Sequence, residues 1–129
     1  LGRMEAQIDR CVAYARQRRP AGKPIREHQA ISHRIANMRC LVEGARLQLY
    51  RASWAKSRGQ KSDRFSAQSK LVVSEAAVEV ATSAIRIHGA LGLRREQGLE
   101  RALRDALMAL VYSGTSDIQR NLIASGEGL

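Results

Sequence analysis

Apolar side chains recur every three or four residues along nearly the whole chain, and this spacing constrains the fold more than any other feature. The first stripe comprises Met4, Ile8, Cys11, Val12 and Ala15. Three further stripes lie within residues 31–52, 71–85 and 99–111. Such spacing is typical of one buried face of an α-helix. The sequence therefore predicts an all-α fold, an antiparallel, up-down-up-down four-helix bundle with a short extra C-terminal helix.

Breaks in the periodicity set the helix boundaries. The strongest is residues 20–24, which read PAGKP. Proline lacks an amide donor and holds the preceding residue out of the helical region, so the first helix is predicted to end near Arg19. A second break at Gly59 separates the second and third helices, because glycine readily adopts a left-handed helix cap.

The third predicted helix begins after Ser62 or Asp63 and ends at His88. Its apolar residues cover much of its circumference, so it is predicted to lie buried between the others. The fourth begins near Gln97. For the fifth helix, residues 116–119 have the spacing of a capping box, and Thr115 is a competing cap.

Length and composition limit the class of protein. The chain has 129 residues and 44% apolar content, enough to bury its own core as one domain, residues 1–129. No apolar stretch approaches the roughly 18 residues of a membrane span, and no signal-peptide pattern is present. These features predict a soluble cytoplasmic protein. Cys11 and Cys40 lack the spacing of a metal or redox motif and are predicted to be reduced packing thiols.

The net charge of +10, from 22 Lys and Arg against 12 Asp and Glu, suits nucleic acid, an anionic membrane or a phosphorylated small molecule. Residues 16–26 carry five positive charges and no acid. The guanidinium group of arginine matches the geometry of phosphate oxygens, and Arg18 is the foremost candidate for such a contact. The alternative is that residues 16–26 form a solvated basic loop.

The glycine-bearing turn at 88–92 offers helix-end amides to an anion, or serves only as a cap. The histidines His28, His33 and His88 lack the spacing of metal ligands, so no metal site is predicted.

Residues 112–120, which read YSGTSDIQR, resemble the carboxy-terminal signature of the acyl-CoA dehydrogenase family, commonly YEGTSEIQR. Three more blocks resemble the family in the same order. Residues 18–29 are similar to its RxxFGKPI block with a following Gln, residues 87–92 to QIHGGxG, and residues 99–106 to VERxxRDA. The four blocks cover nearly the whole chain, which therefore resembles the carboxy-terminal helical domain of that family.

The resemblance implies a piece of a longer three-domain protein, with an amino-terminal helical domain and a middle β domain. It implies an FAD-dependent oxidoreductase that acts on the CH–CH group of an acyl thioester: a carboxylate removes the α proton, and the β carbon passes hydride to the flavin. The implied partners are acyl-CoA or another acyl thioester, an electron-transfer acceptor protein, and further subunits of a homo-oligomer (dimer or tetramer) or a hetero-oligomer. The isolated domain is expected to be inactive.

The resemblance also assigns cofactor contacts. Arg18 is expected to contact the pyrophosphate of an FAD held by a neighbouring subunit. The turn that follows the third helix is expected to pass that flavin's adenosine end, and the start of the fifth helix to approach the FAD of its own subunit. The residues so assigned are Arg18, Arg86, Gly89, Ala90, Thr115 and Asp117.

The chain departs from the family at the catalytic position. Ser113 stands where many members carry the catalytic glutamate, and a serine hydroxyl is no substitute for a carboxylate base near neutral pH. Some branches of the family supply the base from an earlier helix, so no catalytic residue is assigned within this chain. Further replacements are Pro20 for a hydroxyl or small residue, Ala21 for the usual Phe, Arg86 for the usual Gln and Ala90 for the second Gly.

Two alternatives follow from these observations. The replacements at Ala21, Ala90 and Ser113 suit a non-catalytic partner or scaffold subunit of a hetero-oligomer. The net charge alone suits a nucleic-acid-binding helical module, but the basic residues are dispersed and stacking aromatics are few. The sequence therefore predicts no nucleic-acid partner and no membrane span.

Overall fold

The computed structural model describes residues 1–129 and consists of helices joined by turns. The helices are α1 (Gly2–Gln17), α2 (Gln29–Ser57), α3 (Asp63–His88), α4 (Leu99–Ala109) and α5 (Ser116–Ser125). Single turns of 3-10 helix lie between α1 and α2 and between α3 and α4. The all-α class, with four bundle helices and a short fifth, is confirmed. None of these helices combines the length and hydropathy that a bilayer crossing requires.

Side-chain contacts fix the direction of the helices. The Tyr14 ring stacks on His88 with centroids 4.3 Å apart, so the C-terminal ends of α1 and α3 lie together. Two ion pairs from α1 reach α2 in the reverse order, as antiparallel packing requires: Arg39–Asp9 at 2.7 Å and Arg46–Glu5. Arg3 of α1 pairs with Asp105 of α4, and Arg10 donates to the Gln97 carbonyl just before α4, which is again the reverse order.

The third helix, α3, is central and packs against each of the other four helices, as its apolar circumference predicts. Seven of its ten buried residues have small side chains, so neighbouring helices approach closely. They are Ala67, Ser69, Ser74, Ala76, Ala81, Ser83 and Ala84. Its neighbours supply most of the largest fully buried side chains, which are Ile8, Met38, Leu99, Val42, Val80 and Cys11. The core is therefore built from large residues of the outer helices set against a narrow central one.

Two helix boundaries differ from prediction. The first helix ends at Gln17, short of Arg19, because Arg18 is extended (φ −70°, ψ 121°) and Arg19 precedes a proline. The fourth begins at Leu99, two positions beyond Gln97, because Gly98 adopts a left-handed conformation at φ 62° and ends a short 3-10 turn.

The two cysteines differ in environment. Cys11 is fully buried in the core, and burial raises the pKa of its thiol to about 11. Cys40 is exposed on α2. Both are free, but only Cys11 is the packing thiol that the sequence predicts; Cys40 faces away from the core.

The turn between α4 and α5 is held by side chains of α5. Ser113 and Gly114 both have positive φ, 54° and 87°. The buried Gln119 amide donates to the Ser113 carbonyl at 3.4 Å and to the Gly114 carbonyl at 3.2 Å. Thr115, rather than Ser116, is the N-cap: its Oγ1 accepts the Ile118 amide at 3.3 Å. The Ser116 hydroxyl is buried without a partner.

We predict opposite effects of alanine at two glycines. A Cβ at Gly114 would overlap Gln119 Nε2, on left-handed backbone, so Gly114→Ala should lower the free energy of unfolding by about 1–3 kcal/mol. Gly44 lies inside α2, and a Cβ there meets nothing within 4 Å. Gly44→Ala should raise stability by about 0.5–1 kcal/mol. Urea unfolding followed by circular dichroism measures both; a Gly114→Ala chain as stable as the parent would contradict the described turn.

Candidate functional site

The predicted site residues lie at opposite ends of the bundle. Arg18, Gly89 and Ala90 lie where α1 and α3 end and α2 and α4 begin; we call this the arginine end. The turn from Ser113 to Thr115 lies near the first half of α3, where Lys70 contacts the last residue of α4. We call this the serine end. Along α3, ~18 residues at 1.5 Å per residue separate the two ends by about 27 Å.

The arginine end carries positive charge that no carboxylate of the chain neutralises. The five basic side chains of residues 16–26 are exposed and form no ion pair, although arginines elsewhere in the bundle pair with acids. The loop is nevertheless ordered by backbone hydrogen bonds. The Arg18 amide donates to the Tyr14 carbonyl at 2.8 Å, and the Arg18 carbonyl accepts the Ile25 amide at 2.9 Å. A fixed loop that presents unpaired guanidinium groups is suited to binding a phosphate.

Backbone geometry at positions 89–92 explains the glycines of that block. Gly89 has φ 62° and ψ −145°, a conformation that favours glycine. Gly92 is buried, and a Cβ there would lie 3.1 Å from both Ile85 Cα and His88 Cβ. Ala90, in contrast, is exposed and its φ is not positive, so the turn accepts a methyl group at the place where the QIHGGxG motif has its second glycine.

His88 joins this turn to α1. It is buried, its Nδ1 lies 2.8 Å from the Ala84 carbonyl, and its ring stacks on Tyr14. Burial lowers the pKa of the imidazole, which favours the neutral form. His88 therefore fixes the arginine end structurally. Arg86, two residues earlier, is exposed and forms no ion pair, so it adds an unpaired positive charge to the last turn of α3.

The serine end opens into a cavity of about 760 Å³ between α1, α2, α3 and α4, with Tyr112 and Ser113 in its lining. Asp105 is the one carboxylate in the lining, and it pairs with Arg3. The cavity therefore holds no free carboxylate to serve as a general base. Ser113 itself is exposed and has no base hydrogen-bonded to it.

Thr115 and Asp117 begin α5 at this end. Thr115 uses its Oγ1 as the helix cap, which leaves the hydroxyl hydrogen free to donate to a ligand. The Asp117 carboxylate is exposed and accepts from Arg120 Nη1 at 3.3 Å. Arg120 also pairs with Glu75 of α3, so it anchors α5 to the central helix.

Two residues at the serine end were missed by sequence reasoning. Lys70 donates to the Ala109 carbonyl at the end of α4 and lies 5.8 Å from the Tyr112 ring. Gln7 is buried and lines the cavity. Gln7 falls between Met4 and Cys11 on the buried stripe of α1, and a polar residue at an apolar position is the signal that identifies it.

Comparison with known proteins agrees with this architecture. The family model described as "Acyl-CoA dehydrogenase, C-terminal domain" matches residues 1–127. The chain is 44% identical over 124 residues to the L-prolyl-[peptidyl-carrier protein] dehydrogenase of Pseudomonas fluorescens, covering 96% of this chain and 33% of the relative. Among solved structures, butyryl-CoA dehydrogenase from Megasphaera elsdenii superposes with a TM-score of 0.96 at 33% identity, over 99% of this chain and 33% of that one.

A structure described as the FAD complex of PigA superposes with a TM-score of 0.94 at 37% identity, over 98% of this chain and 33% of that chain. The chain thus spans about a third of the length of the relatives that it matches. It belongs to the acyl-CoA dehydrogenase family, of which it is the C-terminal helical domain.

Proposed function

We propose that this chain is the C-terminal domain of a three-domain, FAD-dependent acyl-thioester dehydrogenase, to which it contributes cofactor contacts and an oligomer interface. The observation that carries the proposal is the arginine end: ordered, exposed and unpaired basic side chains beside a turn with the family's glycine spacing. Similarity to an FAD complex and to two named dehydrogenases adds to it.

The donor set of the arginine end fits the pyrophosphate of FAD. Arg18 offers a planar fork to phosphate oxygens, and the exposed Arg86 adds a second positive charge next to Gly89 and Ala90. The N-termini of α2 and α4 lie at the same end and favour an anion through their dipoles. When bound, FAD supplies a hydride acceptor, so that the Cα–Cβ bond of the acyl thioester loses a proton and a hydride and becomes a double bond.

The distance between the two ends suits an oligomer. A separation of about 27 Å along α3 fits contacts with two cofactors better than contacts with one. We assign Arg18, Arg86, Gly89 and Ala90 to the FAD of a neighbouring subunit, and Thr115 and Asp117 to the FAD of the same subunit. Each cofactor is then held between two subunits of a homo-oligomer or hetero-oligomer.

The catalytic base lies outside this chain in this proposal. Ser113 has no activating partner, and the single carboxylate in the cavity lining is neutralised by Arg3. We place the base on a preceding helix of the longer protein. The acyl group of the substrate is carried on coenzyme A or on a carrier protein. An electron-transfer protein accepts the electrons from the flavin. The two free thiols suit a protein of the reducing cytoplasm.

A second candidate function is a non-catalytic partner subunit. The observation that favours it is that the cavity lining holds no carboxylate free of an ion pair. Both functions keep the cofactor contacts of the arginine end, and they differ only in whether a bound flavin is reduced by an acyl thioester.

Anaerobic titration of the longer protein tests the proposal. The purified protein should carry flavin absorbance, and an acyl thioester such as butyryl-CoA or a prolyl carrier-protein thioester should bleach it. Flavin that binds but is never bleached by either thioester would favour the non-catalytic subunit. Protein that takes up no FAD after reconstitution would contradict both functions.

A matched pair of arginine variants tests the cofactor contact. Arg18→Ala should weaken FAD binding by about 10-fold, because a charge-assisted phosphate contact is lost. Arg58→Ala removes the same charge from an exposed position at the far end of α2 and should leave FAD affinity unchanged. Flavin fluorescence during apoprotein reconstitution measures both constants; equal effects would show that Arg18 acts only through net charge.

A further inference from the structure

The outward face of α2 carries large apolar side chains that the rest of the chain leaves exposed. Leu47 is 67% exposed, Tyr50 58% and Trp54 56%. They follow one another at intervals of three and four residues along a 29-residue helix, so they form one stripe on its surface. Single apolar residues at a surface are common, whereas a contiguous stripe of large ones marks an interaction surface.

The first half of the same face carries small side chains. At about 100° per residue, Ala36, Cys40 and Gly44 project within about 60° of the direction of Leu47. All three are exposed. They leave the helix backbone open to close approach by a large side chain of another molecule. The face therefore has a narrow first half and a bulky second half, with Leu47 between them.

One acid and one base flank Leu47 on this face. Glu43 precedes it by one helical turn, and Arg51 follows it by one turn. The Glu43 side chain remains 59% exposed beside Arg46, so its carboxylate can accept a further donor. Arg51 stacks over the Phe65 ring at 4.2 Å, which leaves the N–H groups at the edge of the guanidinium free. Within one chain, Glu43 and Arg51 lie about 12 Å apart along the axis and do not pair.

We propose that this face of α2 packs against the same face of a second copy of the chain, antiparallel, about a two-fold axis at Leu47. A two-fold axis reverses the residue order, so a position before Leu47 in one copy lies level with the equally distant position after it in the other. Large side chains then lie level with small ones, and a base lies level with an acid. The levels so matched are Tyr50 with Gly44, Trp54 with Cys40, and Arg51 with Glu43.

The match between the two halves is the reason to choose a second copy over another domain of the longer protein. An isologous interface joins a surface to itself, so its two halves must agree in size and charge about the axis. A face that packs against a different domain needs no such relation between its halves. The inference rests on the proposed function in that the enzyme assembles from several copies, and it names the face that joins two of them.

Oxidative cross-linking of the longer holoenzyme tests the position of the axis. In a Cys40→Ser background, Leu47→Cys sets two thiols face to face across the axis, and mild oxidation should join the two copies by a disulfide. Ala36→Cys is the matched control on the same face. Its two thiols would lie about 33 Å apart, because each is about 11 residues from the axis, and should not cross-link.

Electrophoresis without reductant measures the covalent dimer, and peptide mapping identifies the joined positions. The Cys40→Ser protein alone gives the background from other cysteines; Cys11 is fully buried. No dimer above this background from Leu47→Cys, or an equal yield from Ala36→Cys, would overturn the inference.

Charge reversal tests which residues lie level. Glu43→Arg or Arg51→Glu alone sets like charges against each other in both halves, and should weaken the association of the two copies by about 10-fold or more. The double variant restores opposite charges and should return the association to that of the parent, which a role within one chain does not predict. Sedimentation velocity of the holoenzyme over a dilution series measures the association.

The outcomes separate this inference from the proposed function. Flavin content and its bleaching by a thioester report the dehydrogenase. If the flavin behaves as proposed but both single variants sediment as the parent does, the pairing of α2 is wrong and the dehydrogenase proposal stands. If Leu47→Cys cross-links but the protein takes up no FAD, the pairing stands and the proposed function fails. Single variants with lower thermal stability at unchanged mass would assign the face to another domain of the same chain and overturn the inference.

Discussion

The close packing of α3 against four neighbours is the constraint on which the rest of the structure depends. Alanine and serine are most of its buried residues, and large side chains such as Ile8, Met38 and Leu99 fill the space around it. A larger residue at a central position such as Ala84 would force two or more helices apart at once, because cores at this density accommodate extra methylene groups poorly. The central helix also fixes the distance between the arginine end and the serine end.

Each half of α3 contacts a different set of the segments to which we assign ligand binding. At its C-terminus, His88 stacks on Tyr14 and so sets the α1 loop beside the glycine turn. In its first half, Lys70 binds the end of α4 and Glu75 binds Arg120 of α5. These contacts hold the serine turn over the cavity. Exposed, unpaired charge collects at one end, which matches the phosphate chemistry that we propose for it, and a partly apolar cavity lies at the other.

Much of the fold and part of the site could be predicted from sequence. Periodicity located the four bundle helices, and the capping pattern at residues 115–119 located the fifth. The boundary errors near Arg19 and Gln97 arose where proline and a left-handed glycine act on their neighbours. Family motifs located the turns at Gly89 and Ser113. The cavity lined by Gln7 depends on how helices distant in sequence pack, which local patterns do not encode.

The most direct test of the central claim, that the two ends of this domain serve two different cofactors, is an experimental structure of the longer protein assembled with FAD. We expect Arg18 of one subunit to lie within hydrogen-bond distance of the pyrophosphate of an FAD whose flavin ring is held by another subunit. Thr115 of the first subunit should contact the FAD of its own subunit. An Arg18 side chain that faces only solvent, or Arg18 and Thr115 of one subunit on a single FAD, would contradict the account.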